Sequence, residues 1–282
     1  MTTRSTPLTV LLTDPTGETL GLGLPPGSLV TETHDGPWRE PLLWVADGTA
    51  VPGAWARYRS RSRSVRDADA LGLQPVLLQD ASGCAEWWGG ELDPGMMSAP
   101  GDHRAEDVLQ ALWESAVSET EENEDEEDSG EAIAPFTGPW PGLAPVGGAP
   151  ADPETTAGNV ADALIGPWLE SPRLALVPAG RPADIPAAIG WSGPVNHVND
   201  VARLCAVLRS WEDRFGARVV ALSYARLDLS VAAPPQSPDE ALAVAAEHFA
   251  FCPDNVWQGY ESIRCYAEQA LLGNAHWTFW WD

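Results

Sequence analysis

The 282 residues carry 41 acidic side chains against 16 basic ones, a formal charge of −25, with 44% hydrophobic and 20% charged residues. That composition is globular, and its field repels phosphate backbones and anionic lipid, so generic nucleic-acid and membrane-surface binding are not expected. Charges, Pro or Gly interrupt every apolar run well short of the ~18 residues a spanning helix needs. The short stretch Val10 to Leu12, closed by Asp14, lacks the length of an export signal. A cytoplasmic protein is expected, with Cys84, Cys205, Cys252 and Cys265 reduced rather than forming a disulfide framework.

From the N-terminus, Leu8 to Thr13, Thr19 to Leu24, Pro41 to Ala46 and Pro75 to Gln79 read as short strands bounded by Gly, Pro or Asp. A helix is expected from Ala54 to Ala70. A second is marked by the stripe Val108, Leu109, Leu112, Trp113 and Ala116. Arg57, Arg59, Arg61, Arg63 and Arg66, with Trp55 and Tyr58, form the basic cluster of the chain. In a net-negative segment, pairing with Asp67, Asp69 or other carboxylates is the expected use of that charge, ahead of holding phosphate.

Ten acidic residues and no basic one fall between Glu114 and Glu131, a run that repels itself and stays solvated. Six prolines and five glycines follow between Ala132 and Gly158, where neither a helix nor a central strand can persist. These features predict two domains, 1–113 and 159–282, joined by a linker over 114–158. On that reading a fragment from about Val160 folds alone.

The second half is more legible. After a strand at Leu174 to Val177, the positions Val201, Leu204, Cys205, Leu208, Trp211 and Phe215 make one helix face, and Gly216 stands where a capping glycine ends it. A strand over Ala217 to Ser223 then turns near Tyr224 into a second, in which Leu227, Leu229 and Val231 face a core and Arg226, Asp228 and Ser230 face water. Ser237, Pro238, Asp239 and Glu240 spell a capped helix start, and the helix closes before Pro253. A third helix runs from about Tyr260 to Leu272. The final Trp277, Phe279 and Trp281 alternate with His276, Thr278 and Trp280, which predicts a strand buried between two layers. The fold class is α+β: a small sheet with packed helices in the C-terminal domain, and a separate strand-rich α+β N-terminal domain.

Several of these residues form a recognisable set. Leu208 to Gly216, Pro234-Pro235, the run Ala245 to Gly259, Gly190-Trp191 with Asn196, and the terminal Trp277, Phe279, Trp280 and Trp281 together resemble the bacterial domain-of-unknown-function 4253 (DUF4253) family, over about residues 174–282. Gly72-Leu73 before Pro75 to Leu78, together with Trp113, resembles the N-terminal extension such proteins carry. The resemblance implies no activity and assigns no catalytic residue.

His248 and Cys252 lie four apart on one helix face, the spacing at which a thiolate and an imidazole activate each other or share a zinc ion. Glu247 and Asp254 lie near enough to orient the imidazole, and Cys265 or His276 could add ligands. A buried structural pair is the competing reading, since free Cys and helical His beside Phe249 and Phe251 are commonly core residues. The loop Asp254, Asn255, Trp257, with Trp191, Asn196 and Trp280, is the candidate binding surface. Trp87, Trp88 and Trp281 are further surface candidates. No CxxC, HExxH, GxSxG or phosphate-cradling loop occurs, so neither a cofactor nor a metal is expected.

An acidic, Trp-rich chain without a catalytic set suits a non-enzymatic module that captures another, basic protein, as immunity proteins capture nuclease toxins. The alternatives are a Cys/His-dependent enzyme or metal site at His248 and Cys252, and a small-ligand sensor with a pocket between the terminal strand and the Trp257 loop.

Overall fold

Segments from both sides of the expected linker share one sheet. The computed structural model describes residues 7–64, 72–80, 86–122, 133–148 and 151–282, and the acidic run 123–131, Cys84, Arg66, Asp67 and Asp69 lie outside them. Its strands are β1 (Gly27–Val30), β2 (Glu32–Thr33), β3 (Gly36–Pro37), β4 (Leu43–Thr49), β5 (Leu73–Leu78), β6 (Arg173–Pro178), β7 (Arg218–Leu222), β8 (Arg226–Ser230) and β9 (His276–Trp280). β2 and β3 pair with each other, and the other seven form a mixed sheet in the order β1-β4-β6-β5-β7-β8-β9. Neighbours are antiparallel except β5 and β7. Every residue of β5 is buried, as expected of a strand covered on both faces. β7 pairs with β5 only at Leu77 and Leu78, past Pro75, which has no N–H to donate.

The expected boundary between 113 and 159 is therefore no boundary in the sheet. β5 from the first segment sits between β6 and β7 of the second, so the expected separate N-terminal sheet is replaced by a shared one. The pairing of strands a hundred residues apart leaves no local mark in the sequence.

Helices cover both faces of this α+β fold. They are α1 (Ala54–Ser64), α2 (Ala105–Glu122), α3 (Pro153–Leu164), α4 (Ile185–Ile189), α5 (Ala202–Phe215), α6 (Pro238–Phe251), α7 (Asp254–Trp257) and α8 (Ile263–Tyr266), the last continuing as a π-helical turn, Ala267–Leu271. Trp55 and Tyr58 of α1 and Ala157, Ala161 and Leu164 of α3 pack with Trp44, Leu77, Leu174 and Leu176 on one face. The other face is larger. There α2, α5 and α6 bury Trp113, Leu204, Trp211, Phe215 and Phe249 with Val76, Leu222, Leu229, Trp277 and Phe279. Arg59 of the basic cluster is buried and pairs with Glu154 of α3, which also receives Arg218, so that cluster tethers α1 to α3 and β7.

Three local expectations change. Leu8 to Thr13 and Thr19 to Leu24 are not strands but 3-10 turns, Pro7–Leu12 and Glu18–Leu20. Leu8 and Leu11 share a face at the three-residue repeat, and Asp14 accepts from the backbone and hydroxyl of Thr19. The side of β8 expected to be wet is covered by α3, so Asp228 and Ser230 are sealed. β9 is an edge strand with one covered face: Trp277 and Phe279 are buried, Thr278 and Trp280 exposed.

Candidate functional site

The capped start predicted for α6 is present. Ser237 Oγ accepts from the Glu240 N–H, and the Glu240 carboxylate reaches back to the N–H of Gln236. This places His248 and Cys252 on the buried side of the helix. The His248 ring lies among Trp211, Trp277 and Phe279, with centroids 4.8, 4.5 and 4.7 Å away. Its Nδ1 is 2.9 Å from the Tyr266 hydroxyl, and its Nε2 has no partner. Cys252 donates its thiol to the Trp280 carbonyl at 3.0 Å and to Asn255 Oδ1 at 3.5 Å rather than to His248. Burial pushes the Cys252 thiol up, while burial and the nearby Arg214 charge hold the His248 imidazole well below its usual range. Both groups are buried and do not contact each other, so they do not form an activated thiolate–imidazolium pair. Cys265 and His276 are not brought to them, and among the described residues no group of three His, Cys, Asp or Glu could hold a metal.

Glu247 does not orient the imidazole either. Its carboxylate is wholly buried, paired with the Arg214 guanidinium at 2.6 and 2.8 Å, and it accepts from Trp211 Nε1 at 2.7 Å and the Ala144 N–H at 2.6 Å. Arg214 also donates to the Ala144 carbonyl at 2.9 Å. The pair thus grips the two peptide units on either side of Ala144 in the Pro-rich segment.

Most of the proposed binding residues hold the C-terminus. Asn255 accepts from the Trp280 N–H at 3.1 Å and donates to the Thr278 carbonyl at 2.7 Å. Asp254, buried, accepts from the Asp282 N–H at 3.1 Å and faces His197 at 3.3 Å, and Asn196 donates to the Asp282 carbonyl at 2.9 Å. Trp191 is sealed against Trp281 and gives its indole N–H to the Ser223 carbonyl at 2.9 Å. The glycine before it, Gly190, has φ +69°, and a side chain there would overlap the backbone of Asp93 and Pro94. Trp87, Trp88 and Trp281 are buried too, so the surface role expected of them is replaced by core packing.

Trp257 and Trp280 are the exceptions, 37% and 42% exposed. Trp257 is braced edge-on by Phe249, with centroids 5.5 Å apart. It lines a hollow of about 450 Å³ with Gln258, Gly259, Tyr260, Glu261, Cys265 and Gln269. The hollow lies between the Trp257 loop and α8, not between that loop and the terminal strand.

Residues 173–282, from the first residue of β6 to the C-terminus, match the family model described as Domain of unknown function (DUF4253). The match covers the stretch over which the sequence resembles that family. No curated protein and no solved structure matches the chain. The residues that carry the resemblance, Gly190, Trp191, Asn196 and the run Ala245 to Gly259, are in large part those that fasten the last strand of the matched region. No helix among the described residues is long and apolar enough to cross a membrane.

One cluster of the matched region escaped the sequence reading. Arg226, Asp228, Ser230 and His276 share the α3-side face of β8 and β9. Asp228 Oδ1 accepts from Arg226 at 2.7 and 3.1 Å and from His276 Nε2 at 2.8 Å, while Oδ2 and the Ser230 hydroxyl have no protein partner. Trp168, just past α3 and 59% exposed, lays its ring over the Arg226 guanidinium at 5.5 Å and edge-on to His276. The alternation of β8 pointed to a wet face, and only the cover supplied by α3 and Trp168 turns Asp228 into a buried anchor for Arg226 and His276.

Proposed function

We propose that the protein is a non-catalytic interaction module that captures a basic protein, in the manner of an immunity protein, with the Trp257 hollow receiving an arginine or lysine side chain of the partner. The observation that carries this reading is the hollow itself. A half-exposed indole stands beside Glu261, Gln258 and Gln269, no basic residue among the described residues lines the wall, and the chain bears a charge of −25. An aromatic face attracts a cation, a carboxylate completes the pair, and the net charge speeds encounter with a positive partner. The same charge disfavours nucleic acid and anionic membrane as partners. The sealing of His248 and Cys252 removes the support for a Cys/His enzyme. We place the module in a bacterial cytoplasm, a setting that suits the free thiols of Cys205, Cys252 and Cys265.

Titrating the full chain with an arginine-rich dodecapeptide by calorimetry tests the reading. Binding should weaken at least tenfold in Trp257→Ala, several-fold in Glu261→Gln, and again when salt is raised from 50 to 300 mM. An affinity that ignores both substitutions would sink it.

A further inference from the structure

Residues 133–148, expected to be linker, are docked. The segment Ile133 to Gly148 has no charged residue and four prolines. It lies across α2, α5 and α6 in the way a bound peptide lies on a receptor. Ile133 and Ala144 are buried, and Phe136 and Trp140 are partly buried on the core. The positions between them are largely exposed, Leu143 among them. Trp113 of α2 is the floor: Phe136 and Trp140 rest on its ring with centroids 6.3 and 5.7 Å away, and its indole N–H donates to the Gly138 carbonyl at 3.2 Å.

Among the described residues, the backbone of 137–148 makes no hydrogen bond to other backbone. Side chains hold it instead. Trp113 takes the carbonyl of Gly138, and the pair of partly buried Arg214 and buried Glu247 takes both polar groups of Ala144, the carbonyl by Arg214 and the N–H by Glu247. At Gly147 the chain runs so close to Phe215 and Ala233 that a Cβ would sit 2.8 Å from the Ala233 carbonyl. Aromatic floors that accept a proline-rich chain and indole N–H groups that read its carbonyls are the means by which peptide-binding domains hold extended, uncharged ligands.

We propose that the surface formed by Trp113, Arg214 and Glu247 is a recognition groove for an uncharged, proline-rich peptide of a partner protein, and that residues 133–148 occupy it in cis. The groove reads aromatic side chains at the positions of Phe136 and Trp140, and a residue with a free N–H just before a proline, as in Ala144-Pro145. Covalent attachment gives the internal segment a high effective concentration, so a partner peptide competes only when the segment is loosened or the partner is abundant. The surface is separate from the Trp257 hollow and does not depend on a basic partner.

The experiment uses the full chain and a fluorescent synthetic peptide of residues 133–148. In Phe136→Ala/Trp140→Ala the internal segment loses its two aromatic anchors while the groove is intact. This variant should bind the peptide at least tenfold more tightly than the unmodified chain does, by anisotropy. A peptide with Ala144→Pro, which lacks the N–H that Glu247 accepts, should lose at least tenfold in affinity for it. Should the double variant fail to give a cooperative melt, Trp140→Ala alone is used, with the same outcomes expected. Peptide binding equal in variant and unmodified chain, absent from a folded variant, or indifferent to Ala144→Pro would overturn the proposal. Concentration-dependent dimerisation of the variant, blocked by the peptide, would instead give the groove to a second copy and overturn the assignment to a partner.

Discussion

Glu247 spreads four donors over its two oxygens, two on each, whereas Asp228 gathers three on Oδ1 and leaves Oδ2 without a partner. Both carboxylates are sealed, and both lie in the region that matches the DUF4253 family model, beside an arginine. Desolvating a carboxylate costs several kcal/mol, so the difference lies in how completely each cost is offset. Glu247 is a finished joint between α5, α6 and the docked segment. Asp228 is an anchor for Arg226 and His276 whose remaining oxygen is unspent. Burial of a charge by itself thus says little about its role, and the roll of its partners says more.

The largest break in this comparison comes from cutting the chain. A fragment of residues 173–282 keeps Arg226, His276, Arg214 and Trp211, but it loses β5 from the middle of the sheet, Trp168 from over Arg226 and Ala144 from Glu247. No cooperative melt is expected of it, in contrast to the independent folding suggested by the linker. Calorimetry on the fragment beside the full chain decides the point. Within the full chain, Glu247→Ala strands the partly buried Arg214 and leaves Trp211 Nε1 and the Ala144 N–H without their acceptor, and should cost about 3–5 kcal/mol. Asp228→Asn keeps an acceptor for His276 and Arg226 and should cost about 1–3 kcal/mol. Urea midpoints at matched slope measure both, and a reversal of the order would show that the partner roll is a poor guide.

His248 extends the comparison with a smaller, graded effect. Like Asp228 it has one satisfied atom and one bare one, and burial holds it neutral. The unfolded chain takes up a proton near pH 6.5, where the folded chain resists it, so more protons are bound in the unfolded state and stability falls as pH drops through that range. The slope should approach ~1.4 kcal/mol per pH unit and continue down to the depressed folded value. Stability measured from pH 7.5 to 5 should show this slope, and His248→Leu should flatten it.

What could be read from the sequence was set by local chemistry. Ser237 to Glu240 announced the start of α6, Gly216 the end of α5, and the alternation at Trp277, Phe279 and Trp281 the buried side of β9. What could not be read depends on partners distant in the chain. The i,i+4 spacing of His248 and Cys252 is real, but Trp211 and Trp277, from two other elements, close over the histidine. The prolines between Pro135 and Pro145 correctly forbade regular structure, yet said nothing of the aromatic floor that holds the segment down. The place of β5 between β6 and β7 could not be seen, because its pairings span roughly a hundred residues or more.

The grip of Asn255 on β9 has a consequence beyond fastening the C-terminus. β9 is the last strand of the sheet, and its outward N–H of Trp280 and carbonyl of Thr278 are the groups onto which another molecule's strand would add. A single amide occupies both, standing in for one residue of an eighth strand. Asn255 thereby guards the protein against edge-to-edge polymerisation, a hazard sharpened by the tryptophans and phenylalanine of that strand.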